Sequence, residues 1–153
     1  MTELEFYRYK EEIERQFGKC KVLTANQDTT LKKCEETDNL TMLNGLSWID
    51  YWRTMTGNHE TRLFCSSCGQ VIFVGEVPQI MKNLYVATGD SLESHKAMGG
   101  HVLIKRPESG KYPGGKYIIP LCPHCFDKQE EEISIIKGSR ICQELGEAPE
   151  NNI

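Results

Sequence analysis

Two Cys-x-x-Cys pairs, Cys65/Cys68 and Cys122/Cys125, lie in one chain with 53 residues between them, and they constrain its fold more than any other feature. Each pair sets two thiolates on a tight turn, and two such turns supply the four sulfurs of a closed tetrahedral zinc site. Gly69 eases the first turn and Pro123 stiffens the second. Main-chain N–H groups in turns of this kind point at the sulfurs and stabilise their charge. A site closed by four protein ligands is structural, because it leaves no coordination position for a substrate. The excursion between the pairs would be loose without the ion, so Zn²⁺ is expected to contribute on the order of 10 kcal/mol to folding.

Seven cysteines also permit a secreted disulfide framework. An odd count and the paired spacing fit metal-bound thiolates in a reducing compartment better. No apolar run approaches membrane-spanning length, and the opening Met1-Thr2-Glu3-Leu4-Glu5 is acidic where a signal peptide would be basic and then apolar. A cytoplasmic protein with no membrane partner is therefore expected. At 153 residues, with 39% hydrophobic and 26% charged residues, the chain suits one globular domain with decorations.

The net charge of −4 is unevenly spread. Residues 127 to 153 carry seven acids and three bases, whereas residues 95 to 117 hold Lys96, Lys105, Arg106, Lys111 and Lys116 against Glu108 alone. Lys105, Arg106, Lys111 and Lys116 form a modest basic patch that could meet phosphates, or simply a solvated face.

Phe6, Tyr9, Ile13 and Phe17 recur at helical steps, and Gly18 closes that helix. The stretch from Lys19 to Asp38 is irregular and polar, with a turn or helix start at Asp28-Thr29-Thr30; Cys20 and Cys34 read as partly buried free thiols. Ser47 caps a second helix carrying Trp48, Tyr51, Trp52 and Met55, ended by Gly57, with its indoles in the core. Short β-branched runs predict strands at Val71–Val74, Leu84–Ala87, His101–Ile104 and Tyr117–Ile119, with turns at Thr88-Gly89-Asp90 and Pro113-Gly114-Gly115. A helix is expected from about Phe126 through Ile133 and Ile136 to Lys137, stopped by Gly138, then one turn at Ile141, Cys142 and Leu145 and a frayed tail at Pro149–Asn152. His59 and His95 read as ordinary polar surface residues.

The order Cys-x-x-Cys, then Gly99-Gly100-His101-Val102, then Tyr117-Ile118-Ile119-Pro120-Leu121 running into Cys122-x-x-Cys125 resembles the zinc-braced HNH, or ββα-metal, endonucleases, a treble-clef-type group; the resemblance covers about residues 62 to 130. It implies an α+β fold in which a small zinc-braced β-hairpin and helix core carries flanking helices. The implied divisions are an N-terminal helical region at 1–58 packing on the core, the zinc domain at 59–138 and an acidic tail at 139–153. The resemblance places His101 as the general base on an attacking water. Gly100 and Phe126 occupy positions where the family has ligands for a catalytic metal, and no Asn lies between residues 84 and 150. A degenerate core is thus implied, one that binds nucleic acid or a protein partner, as in phage or mobile-element regulation.

Two other chemistries are open. An active nuclease would use His101 and hold a second divalent ion such as Mg²⁺ on Asp127, perhaps with Glu108. Cys122-Pro123-His124-Cys125 also resembles the tetrapeptide of thiol-disulfide oxidoreductases, whose first Cys is activated at a helix N-terminus.

Overall fold

The computed structural model describes residues 1–34, 44–106, 108–112, 114–128 and 132–145. Helix α1 spans Glu3–Phe17 behind a capping box in which Thr2 and Glu5 satisfy each other's main-chain N–H groups. It buries Phe6 and Ile13, whereas Phe17, expected on the same face, stays exposed. The segment read as irregular yields two short strands, β1 at Val22–Thr24 and β2 at Leu31–Lys33. Helix α2 runs Trp48–Thr56 from the Ser47 cap to a left-handed Gly57, as its sequence predicts. Strands β3 at Arg62–Phe64 and β4 at Val71–Phe73 form an antiparallel hairpin of their own.

Leu84–Ala87 is no strand but the second half of helix α3, Gln79–Thr88. Pro78 fixes the entry, and Gly89 ends the helix in the left-handed region with its N–H on the carbonyls of Tyr85 and Val86. The caps outweigh the β-propensity of a four-residue window. A single 3₁₀ turn at Glu93–His95 leads into β5 at Met98–Ile104 and β6 at Tyr117–Leu121.

The long helix expected after the second cysteine pair is also corrected. Helix α4 covers only Pro123–Asp127, Lys128 is extended, and Glu132–Ile133 forms strand β7 against β2. Pairing that buries Ile133 beside Leu31 prevails over helical periodicity. The expected turn at Ile141–Leu145 is instead strand β8, Arg140–Gln143. Residues 129–131, 149–152 and Pro113, on which parts of these expectations fell, lie outside the described residues.

Among the described residues the main sheet is antiparallel in the order β1-β8-β6-β5-β2-β7. The segments at 1–58 and 139–153 thus do more than flank the core: β1, β2 and β8 complete its sheet. All five residues of β6 are buried. Successive side chains on a strand point to opposite faces, so both faces of the sheet are covered at its centre. Helix α2 lies against β5, β6 and β8, while α4 and the β3–β4 hairpin lie against β6. The pair Gly99-Gly100 shows why this is possible. A Cβ on Gly99 would sit 2.7 Å from the Trp48 carbonyl carbon, and one on Gly100 would sit 2.5 Å from Leu121 Cδ1. Helix α2 therefore approaches β5 backbone to backbone on one side, and Leu121 fills the space on the other.

Candidate metal centre

Each cysteine pair is held by a different local device. In the first, Cys65 follows β3 and the chain reverses through Ser66-Ser67-Cys68, with Gly69 at φ +81°. The Gly69 N–H bonds the Cys65 carbonyl at 2.9 Å and the Cys65 N–H bonds the Gln70 carbonyl at 2.8 Å, so the turn is closed from both ends. In the second, Cys122 caps α4: its sulfur accepts the Cys125 N–H at 3.5 Å and its carbonyl accepts the Phe126 N–H at 2.9 Å. One main-chain bond joins the two, from Ser66 N–H to the Pro120 carbonyl at 2.9 Å, and another ties the Ile136 N–H to the Ser66 carbonyl at 2.8 Å.

These constraints bring the four sulfurs within 4.8 Å of one another, with Cys68 and Cys122 at 3.7 Å. Zinc–thiolate bonds of about 2.3 Å in tetrahedral geometry require sulfur separations of about 3.8 Å. A disulfide would need about 2.05 Å. The residues therefore fit a single metal ion such as Zn²⁺, and the expectation drawn from spacing is met in space. Cys65, Cys122 and Cys125 are buried, whereas Cys68 is exposed.

The electrostatics prepare the site unevenly. Burial works against ionising Cys65, but the main-chain N–H groups of Cys68, Cys122 and Ser67 outweigh it and hold its thiol below the usual range. Burial pushes Cys122 and Cys125 up, and the charge on Cys65 adds to the effect. An ion placed among them would draw off the remaining protons. The raised Cys122 is the opposite of what a thiol-disulfide oxidoreductase requires of its first cysteine.

His101 lies elsewhere, on β5 opposite Ile118. Its Nδ1 is 3.4 Å from Glu144 Oε1, and the Trp48 ring meets it edge to face at 5.1 Å. Its side chain is 12% exposed. Asp127 sits exposed at the end of α4. Among the described residues, the four cysteines are the one set of three or more His, Cys, Asp or Glu side chains placed to share an ion, so His101 and Asp127 form no such set. Glu144 and Trp48 were not singled out as neighbours of His101, since nothing in the spacing of three distant segments brings them together.

The basic residues lie on or beside the connection between β5 and β6. Lys105 follows β5 and pairs with Glu132 at 3.2 Å; Arg106 and Lys111 are exposed and joined by an Arg106 N–H bond to the Lys111 carbonyl at 2.7 Å; Lys116, half-buried, precedes β6. Strand β2 adds Lys32, over the Tyr112 ring, while Lys33 points to the opposite face, over the Phe126 ring and bonded to the Lys128 carbonyl at 3.0 Å. These two were missed because Leu31-Lys32-Lys33 is too short to announce itself as a strand.

The two histidines read as surface residues are corrected. His95 is 7% exposed, between the Val71 carbonyl and Asp90 and stacked on Tyr85. His59 stacks on Phe6 at 4.0 Å and meets Glu3 at 2.8 Å. Tyr85 helps to bury His95, and Phe6, distant in sequence, partly covers His59. No helix is long and apolar enough to cross a membrane among the described residues. The chain matches no family model, no curated protein and no solved structure.

Proposed function

We propose that this chain is a zinc-braced binding module with a degenerate HNH-like, treble-clef-type core, and that its ligand is nucleic acid, met at the basic end of the sheet. The carrying observation is that strand β2, paired with β5, brings Lys32 over the Tyr112 ring beside Lys111 and Arg106 of the β5–β6 connection. The zinc would hold the knuckle and α4 against β6, fixing the hairpin that presents these bases. Binding fits better than cleavage because His101 faces Trp48 and Glu144, and Gly99-Gly100 answers a packing need where the nuclease pattern has a metal ligand.

The test measures affinity for single- and double-stranded DNA and RNA as a function of salt. Affinity should fall steeply with salt, and Arg106→Ala with Lys111→Ala should flatten the slope by about 2. Salt-independent or absent binding overturns this reading. The same samples, incubated with Mg²⁺ or Mn²⁺, should show no cleavage that His101→Ala abolishes; such cleavage would restore the nuclease. A protein partner is the second reading, favoured by α3, whose Ile80, Leu84 and Val86 are all exposed.

A further inference from the structure

Three of the four cysteines are buried, with Cys65 at 0%, Cys122 at 1% and Cys125 at 2% exposure, and the fourth, Cys68, is an exposed residue. A soluble oxidant therefore reaches the cluster first at Cys68. Cys122 Sγ, on the other pair, lies 3.7 Å from it, and the remaining sulfurs lie within 4.8 Å. We infer that Cys68 is an oxidation site through which peroxide converts the metal centre into a Cys68–Cys122 disulfide and expels the ion. This rests on the reading of the cluster as a zinc site.

The chemistry balances with hydrogen peroxide as the oxidant. The Cys68 thiolate attacks one peroxide oxygen, the O–O bond breaks, and the departing hydroxide takes a proton to become water, leaving a sulfenic acid. The Cys122 thiolate then attacks the Cys68 sulfur, an S–S bond forms, the S–O bond breaks, and the second hydroxide leaves as water after taking a proton. Two thiolates lose two electrons and one peroxide gains them. The ion is left with two sulfur ligands and dissociates.

The choice of Cys122 has a structural consequence. Cys68 belongs to the β3–β4 knuckle and Cys122 to the junction of β6 with α4, the two parts the metal joins. A bond between them replaces the ion as the tie. A local Cys65–Cys68 bond would cut that tie. The oxidised, zinc-free protein therefore keeps its knuckle docked, while reduced, chelated protein does not.

The experiment starts from purified chain with its zinc content measured. A zinc-free preparation in which the thiols remain reduced and the chain folded would refute the zinc reading itself. With zinc bound, peroxide should release it to a chromogenic chelator, unreduced peptide maps should show Cys68 joined to Cys122, and amide exchange at residues 62–73 should stay slow. Dithiothreitol with added zinc should reverse all three. Cys68→His, which leaves a four-ligand Cys₃His set, should release zinc several-fold more slowly, whereas Cys20→Ser and Cys34→Ser should release it at the original rate. Zinc retained under peroxide, a Cys65–Cys68 map, or equal release from Cys68→His overturns the inference while leaving the zinc site standing.

Discussion

The two covers of strand β6 are held by different physics. On one, α2 contributes Trp48, Tyr51, Trp52 and Met55, all buried, and its polar atoms are largely satisfied: the Trp52 Nε1–H donates to the Arg140 carbonyl at 2.9 Å, and the Tyr51 hydroxyl accepts the Leu145 N–H at 2.9 Å while donating to Gln143. This is core packing in which Tyr51 and Trp52 find hydrogen-bond partners at their polar ends, while the Trp48 Nε1–H is buried with no partner among the described residues. On the other, β3 and β4 have three residues each and α4 has five. Elements so short cannot hold themselves together by propensity. Four thiols stand where an aliphatic cluster would otherwise be needed. A region of such short elements would gain its rigidity from an ion at the four cysteines, and the adjoining region with two tryptophans does not need one.

The difference is most sharply exposed by removing the ion. Binding free energies in small zinc modules are on the order of 10 kcal/mol, comparable to the whole stability of a domain. Chelation, or Cys125→Ser, should therefore strip amide-exchange protection from 62–73 and 123–127 while β5, β6, β8 and α2 stay protected. Simultaneous loss of protection everywhere would show that the two covers form one cooperative unit. Acid should do the same as chelator, since each thiolate must take up a proton for the ion to leave.

Changes on the α2 side should act without touching the metal. Trp52→Ala leaves a cavity and an orphaned Arg140 carbonyl, and should cost about 3–5 kcal/mol in urea unfolding. Gly99→Ala drives a methyl group to within 2.8 Å of the Trp48 and Ile49 backbone, which cannot yield as a side-chain tip can. It should cost about 1–3 kcal/mol, whereas Gly115→Ala, with nothing within 4 Å, should be nearly silent. Zinc stoichiometry should be unchanged in all three. If Gly99→Ala instead lowered zinc content, the separation of the two covers would be wrong.

Legibility in the sequence followed the range of the interactions. The α2 helix was readable because Ser47, the ring spacing and Gly57 are all local, and the metal cluster was readable because ligand spacing survives whatever path the chain takes between the pairs. Strands β1, β2, β7 and β8 were not. Each has four residues or fewer and exists because a partner elsewhere completes its ladder, as Val22 does with Cys142 and Leu31 with Ile133. In the Gly-Gly-His motif Gly99 is explained by a helix passing overhead, a reason that no local pattern shows. That reason depends on a contact with Trp48, fifty-one positions earlier in the chain (99 minus 48).

Helix α3 belongs to neither cover and should yield the smallest effect. It buries Tyr85 alone, and that ring stacks on His95 at 4.1 Å. His95 Nδ1 lies 2.8 Å from the Val71 carbonyl and Nε2 lies 3.0 Å from Asp90 Oδ2. The hydrogen bond from His95 holds the Asp90 carboxyl below its usual range, helped by charge and by Ser91 and Ser94. A group with a depressed folded pKa contributes stability above its unfolded pKa, and the contribution is lost as pH falls through the folded value. Asp90→Asn should therefore speed amide exchange across 79–88 at neutral pH without shifting global unfolding, and the gap between variant and parent should close as acid protonates Asp90. A gap that persists below the carboxylate range would mean that α3 is held by something other than this clip.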